Sequence, residues 1–238
     1  MNPRSAQDAN LLDAVAAQRR ELAALLSGLA PESWDRQSLC AGWLVRDVVA
    51  HMTMPFRYST GRFITELIKA GANFDRMADR CARRDGAAPP KELLAALRQN
   101  ERNPWKPPGG GFAAALTHDV VHGQDITVAL GVEYRVPEDR LRTVLATITT
   151  KRSLKHFGID LDGIELRADD IDWSFGTGTP LSGSAQDLAS FICGRMLPGD
   201  RLRGASQTPV HDAAMEVSMH PMTHSFHTPR PGHREGGA

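Results

Sequence analysis

Apolar residues recurring at helical spacing run through the first 155 positions, and nothing else in the chain constrains its fold as much. Residues 8–29 place Leu11, Leu12, Val15, Leu22, Leu25, Leu26 and Leu29 along a long amphipathic helix. Ala30-Pro31 ends it, because proline disfavours helical backbone in the residue before it. A loop over 31–42 holds Trp34, Cys40 and Gly42. A second helix starts near Trp43 and runs through Met52, with Leu44, Val48 and His51 on one stripe. Pro55 kinks or interrupts it, and the pattern resumes at Phe63, Ile64, Leu67 and Ile68. Residues 71–90 are polar and end in Pro89-Pro90, which predicts a loop. A third helix is predicted over 91–102. After a Pro/Gly-rich link from Pro104 to Gly111 comes a fourth, over 112–130, with Gly131 as its stop. Pro137 opens a fifth that reaches about 155.

Beyond 160 the pattern changes. Ile164-Glu165-Leu166-Arg167-Ala168 alternates as a half-buried strand does, and so does the stretch from Ile171 to Gly176. A helix follows over 184–196. The expected class is α+β: a helical bundle over 1–156, then a small α/β domain over 157–205. Residues 206–238 hold five of the nine histidines among Pro, Thr and Gly without a sustained period, and are expected to be a disordered tail.

Charge excludes several function classes. The 28 basic and 28 acidic residues cancel, so the chain carries no electrostatic footprint for nucleic acid or an anionic membrane. No apolar run approaches the roughly 20 residues of a membrane span, and Met1 to Asn10 lacks the apolar centre of a signal peptide. Three cysteines, Cys40, Cys81 and Cys193, with no C-x-x-C spacing point to a reducing cytoplasm. Only five of the basic residues are lysine; the arginine excess, with abundant Ala and Gly, goes with GC-rich bacterial coding.

His118 and His122 stand four apart on the fourth helix, so both imidazoles reach one point in space. Metal sites want at least three protein ligands. Of the remaining histidines, only His51 lies on a predicted helix with a core-facing stripe. If the second and fourth helices face each other across the bundle, His51, His118 and His122 form a three-histidine site with open coordination positions, the catalytic rather than the structural pattern. The competing reading is three satisfied core histidines. His220 and His224 are also four apart, but Pro221 lies between them.

Two stretches carry a recognisable pattern. Trp34 followed by Cys40-Ala41-Gly42-Trp43-Leu44-Val45-Arg46-Asp47-Val48-Val49-Ala50-His51 resembles the first signature of the mycothiol-dependent maleylpyruvate isomerase family, within the DinB-like metalloenzyme superfamily. Asp119-Val120-Val121-His122-Gly123-Gln124-Asp125-Ile126 resembles its second. Leu166 to Ser174, then Gly194-Arg195, is similar to its C-terminal domain, so the resemblance covers roughly 8–204. It implies a DinB-like four-helix bundle that binds a divalent metal, followed by a sterol-carrier-like α/β domain. It also implies His51, His118 and His122 as ligands. The isomerase resembles a His-Glu-His arrangement, with Glu at the place of His118. Three histidines leave the site one negative charge poorer, so a bound metal is the stronger Lewis acid.

The resemblance implies a metal-activated low-molecular-weight thiol, mycothiol, acting on a small anionic substrate in isomerisation or S-transfer. Zinc suits open nitrogen ligation, with nickel, iron or manganese as the other choices. Arg195 is the candidate for a substrate carboxylate, which guanidinium matches in a bidentate fork; the alternative is a basic residue favouring its helix dipole. Asp47 and Asp125 can take a ligand's spare N–H, and for Asp47 a first-turn helix acid is the competing role. Cys40 is either a reactive thiol or a loop cysteine packed beside Trp43. The expected partners are a small-molecule substrate and a low-molecular-weight thiol, with no nucleic acid and no membrane, in a cytoplasmic monomer or homodimer. The alternatives are a hydrolase using metal-bound water and a non-catalytic small-ligand-binding protein.

Overall fold

The computed structural model describes residues 3–107 and 109–205. The tail at 206–238, with its five histidines, lies outside the described residues.

Helix α1 spans Pro3–Ser27 and buries Val15, Ala16, Leu22, Ala23 and Leu26. A short 3-10 turn at Pro31–Asp35 buries Trp34. Helix α2 spans Val45–Arg57, and Asp47 caps it by accepting the Leu44 backbone N–H at 2.9 Å. Pro55 lies inside α2, which nonetheless continues to Arg57. Helix α3 (Thr60–Lys69) follows after Tyr58 and is capped by Ser59, whose hydroxyl accepts from Arg62 N at 3.2 Å.

The stretch over 71–90 departs from the expected loop. Helix α4 occupies Phe74–Gly86, with Asn73 as its cap at 2.8 Å from Arg76 N. Its buried stripe is Met77, Ala78, Cys81 and Ala82. With one methionine and three small residues among arginines, the stripe hides its period from a hydrophobicity reading, yet the small residues let α4 lie close against α2. Gly86 sits so near Asp47 that a Cβ there would meet the Asp47 carboxylate and approach its Cα to 3.2 Å.

Helix α5 covers Pro90–Gln99, and α6 runs Gly111–Leu130, ending at Gly131 with φ +67°. From Ala114 to Thr127 every residue of α6 is buried. It packs on α1 and α2, and on helices α7 (Glu138–Ile148) and α9 (Ala185–Ile192). The fifth helix expected to reach 155 is two: α8 (Lys151–Phe157) restarts at Thr150, whose hydroxyl caps Ser153 N at 3.2 Å.

Strands β1 (Ile164–Ala168), β2 (Ser174–Gly176), β3 (Thr179–Gly183) and β4 (Arg203–Gly204) form one sheet in the order β2-β1-β3-β4. β1 runs parallel to β3 and antiparallel to β2, while β3 and β4 are antiparallel. β3 escaped the sequence reading because Thr179-Pro180 reads as a turn. Its pairing to β1 puts Leu181 opposite Leu166, and both are fully buried. Each such leucine contributes roughly 1.5–3 kcal/mol. One core runs from Ala115, Val120 and Val121 on α6 through Val144 and Leu145 on α7 to Leu166, Leu181 and Phe191. It therefore crosses the expected boundary at 156/157. Among the described residues, no helix is long and apolar enough to cross a membrane.

Candidate metal centre

His51 comes from α2, and His118 and His122 lie one turn apart on the facing side of α6. One nitrogen from each falls within 4.8 Å of the other two. His118 Nε2 stands 3.2 Å from His51 Nε2. Two nitrogens sharing a tetrahedral zinc at about 2.0–2.1 Å lie about 3.3 Å apart, so the spacing fits one ion. The His122 Nε2 is buried without a hydrogen-bond partner, an arrangement that costs free energy unless something binds there. The donor set is three buried nitrogens, which fits a borderline-soft divalent metal.

What faces the other ring nitrogens decides which ones are available. His118 Nδ1 meets Asp119 Oδ1 at 2.9 Å, and His122 Nδ1 meets Asp125 Oδ2 at 2.8 Å. A carboxylate only accepts, so in the neutral rings each Nδ1 carries the hydrogen and each Nε2 keeps its lone pair. Burial pushes the His122 imidazole down to about 4 against the opposing pull of Asp125. Burial, then His122 and His118, pushes His51 well below the ordinary histidine range. Both rings are thus neutral at pH 7.

Each carboxylate is in turn held by a buried arginine. Arg19 of α1 donates from Nε to Asp119 Oδ2 at 2.7 Å. Arg195 donates from Nε and Nη2 to the two oxygens of Asp125, at 2.8 and 2.9 Å. Burial by itself would raise the carboxyl of Asp119. The Arg19 charge and the His118 hydrogen bond outweigh it and hold Asp119 below the ordinary range. Asp125 is likewise held well below the ordinary range: burial would raise it, and Arg195 and the His122 hydrogen bond overcome that.

The fork of Arg195, assigned from sequence to a substrate carboxylate, is therefore given to Asp125. Its Nη1 donates to the Cys193 carbonyl at 2.8 Å, and Nη2 also reaches Cys40 Sγ at 3.4 Å. Asp47 caps α2 rather than meeting a histidine. Cys40 is packed against the cluster and not exposed: its thiol donates to Asp125 Oδ2 at 2.9 Å, and burial followed by Asp125 pushes its pKa well up. Trp43 flanks His51 with ring centroids 5.0 Å apart, anchored by Nε1 to Asp79 at 2.8 Å. Trp105 flanks His118 at 5.6 Å.

Sequence reasoning passed over Arg19 and Asp119, though both left signals. Arg19 occupies a core position in the stripe Val15, Arg19, Leu22, Leu26, where a charge needs a buried partner. Asp119 is adjacent to a candidate ligand.

Residues 15–104 match the family model of the mycothiol maleylpyruvate isomerase N-terminal domain. That segment contains His51 and stops short of His118 and His122. Two solved structures share the fold. One is a histidine-to-alanine mutant of the mycothiol-dependent maleylpyruvate isomerase, 15% identical, with a TM-score of 0.55, covering 83% of this chain and 92% of that one. The other is the mycothiol-dependent maleylpyruvate isomerase itself, 16% identical, with a TM-score of 0.50 and the same coverage. No curated protein matches the sequence. The resemblance read from the first motif holds over 15–104, and the α+β fold class holds as well.

Proposed function

We propose, from the likeness to the mycothiol-dependent maleylpyruvate isomerases, that this chain is a divalent-metal-dependent enzyme. In this reading it uses a low-molecular-weight thiol such as mycothiol for isomerisation or S-transfer on a small electrophilic substrate. The observation that carries the reading is the convergence of three buried imidazoles, one with an orphaned Nε2 and two backed by arginine-paired carboxylates.

His51, His118 and His122 are the proposed ligands, with zinc the first choice of metal. A divalent ion there supplies Lewis acidity and lowers the pKa of a thiol that reaches it. Asp119 and Asp125 keep the Nδ1 hydrogens of their histidines and so aim the Nε2 lone pairs inward. The proposed role of Arg195 is to hold Asp125. Trp43 and Trp105 wall the site and exclude water. The nucleophile comes from outside, since Cys40, Cys81 and Cys193 are all buried. Reversible addition of that thiolate to an activated double bond, rotation and elimination return the isomer and the free thiol. Retention of the new C–S bond is S-transfer.

Cobalt substitution followed by addition of mycothiol tests the thiol. A sulfur-to-cobalt charge-transfer band is expected, and an unchanged spectrum at millimolar thiol rules out the thiol mechanism. Elemental analysis of His51→Ala and His122→Ala tests the ligands, in a full chain whose five tail histidines are replaced by alanine. Both variants are expected to lose metal; full retention in both refutes the triad.

A further inference from the structure

Arg19 lies at the middle of α1, fully buried, and the sequence motifs give it no role. Its Nη1 is held by the backbone carbonyls of Asn100, Glu101 and Asn103 at 3.2, 3.4 and 2.9 Å, and its guanidinium lies 4.7 Å from the Phe56 ring centroid. These contacts fix the group in place. Its Nε then claims one oxygen of Asp119 at 2.7 Å, which leaves the other to His118 Nδ1 at 2.9 Å. The consequence appears on the far side of the imidazole, where His118 Nε2 faces His51 Nε2 at 3.2 Å.

We propose that Arg19 is a positioning residue for His118, anchoring Asp119 with one oxygen on Nδ1–H so that the imidazole is held with its Nε2 lone pair toward the metal. This rests on the metal-centre reading above. Arg19 touches neither metal nor substrate; it acts through Asp119. The pair does for His118 what Arg195 and Asp125 do for His122, from the opposite end of the chain.

The tautomer itself is the test, read in the metal-free full chain from long-range proton–nitrogen spectra of the imidazoles. In Asp119→Asn, Arg19 still demands an acceptor and takes the amide oxygen. The amide NH2 is then left facing Nδ1, which must accept, so the hydrogen moves to Nε2. The expected result is a flip of His118 to the Nε2–H form and cobalt binding weaker by about 10–100-fold. Adding Arg19→Met removes the demand, the amide turns its oxygen to Nδ1, and both the tautomer and most of the affinity return. A merely structural arginine predicts neither the flip nor the rescue. Retention of Nδ1–H in Asp119→Asn, or no rescue in the double variant, overturns the proposal. If Asp119→Asn does not fold, Arg19→Met alone decides: His118 keeps its Nδ1–H but Asp119 loses its anchor, so cobalt affinity is expected to fall by several-fold, less than the loss expected of Asp119→Asn, and an unchanged affinity overturns the role. A wild-type chain that takes up no cobalt at this site defeats the metal reading, while the tautomer spectra still decide the role of Arg19.

Discussion

Replacing Arg195 by methionine separates two roles for that residue. A side chain kept for a substrate carboxylate contributes little to the folded state, so its loss should leave the melting temperature nearly unchanged. The structure gives the opposite expectation. Arg195 is 7% exposed and Asp125 is fully buried, and they share two hydrogen bonds of 2.8 and 2.9 Å. Arg195→Met leaves the Asp125 carboxylate underground with only the His122 Nδ1–H and the weak Cys40 thiol donor. Breaking a buried pair from one side costs about 3–5 kcal/mol. For a chain of this size each kcal/mol moves the melting temperature by about 2–4 °C, so the expected drop is roughly 6–20 °C. Thermal and urea melts of the metal-free chain measure it. The double variant Arg195→Met with Asp125→Asn leaves no charge at this pair and should recover at least half of the loss. A single variant within about 2 °C of the wild type refutes the reasoning, because it means that the two charges are not coupled as the geometry requires. So does a double variant no better than the single.

Three further outcomes follow from other contacts. Gly86→Ala drives a methyl into Asp47 where α4 crosses α2, and should destabilise by about 1–3 kcal/mol in a denaturant melt; a neutral result means that the crossing is looser than drawn. Asp85 is 7% exposed; burial would raise its carboxyl, but Tyr58, Arg84 and Arg57 hold it below the ordinary range. Its folded pKa is depressed, so its contribution is present above the unfolded value near ~3.9 and is lost as pH falls through the folded one. Asp85→Asn should therefore flatten the acid limb of the stability profile, and an unaltered limb counts against the pairing. The three buried thiols should resist an aromatic disulfide reagent in the native state and all react after unfolding, so a native thiol titrating at neutral pH contradicts the placement of Cys40 or Cys193.

The sequence disclosed the histidine cluster because its signals were local and periodic. His118 and His122 share a helix face by spacing alone, and His51 falls in the stripe Leu44, Val48, His51. Helix α4 stayed hidden because its buried face is made of Met77 and the smaller Ala78, Cys81 and Ala82, which add little hydrophobic signal between seven charged neighbours (Asp75, Arg76, Asp79, Arg80, Arg83, Arg84 and Asp85). Strand β3 stayed hidden because its evidence is non-local. Thr179-Pro180-Leu181-Ser182-Gly183 becomes a strand by pairing with β1, fifteen positions earlier at every register point. The arginines behind His118 and His122 were illegible for the same reason. Arg19 meets Asp119 across 100 positions and Arg195 meets Asp125 across 70, and neither separation leaves a periodic trace.

Those two long-range pairs also bear on the charge of the site. A bare carboxylate on each Nδ1–H would push electron density through the ring and make each Nε2 a more anionic donor. Arg19 and Arg195 each cancel one such charge, at 2.7 and 2.8 Å. The carboxylates keep their orienting function and lose most of their donating one. In the metal-centre reading proposed above, the three imidazoles would be close to neutral ligands, and the chain would supply no net negative charge to a metal. A cation held that way keeps nearly all of its own charge for the fourth ligand. That is the condition under which a thiol gives up its proton most readily. In the same reading, pairing each aspartate with a buried arginine suits a site that activates an incoming nucleophile, and removing both pairs whole, Arg19→Met with Asp119→Ala and Arg195→Met with Asp125→Ala, tests it without changing the net charge. Metal affinity should fall in that variant because orientation is lost. Any metal that remains should lower the pKa of a bound thiol as far as in the wild type, measured by the pH dependence of the cobalt–sulfur band. A thiol pKa in that variant shifted by more than about one unit would show that the carboxylates reach the metal electronically, and that the arginines do not cancel them.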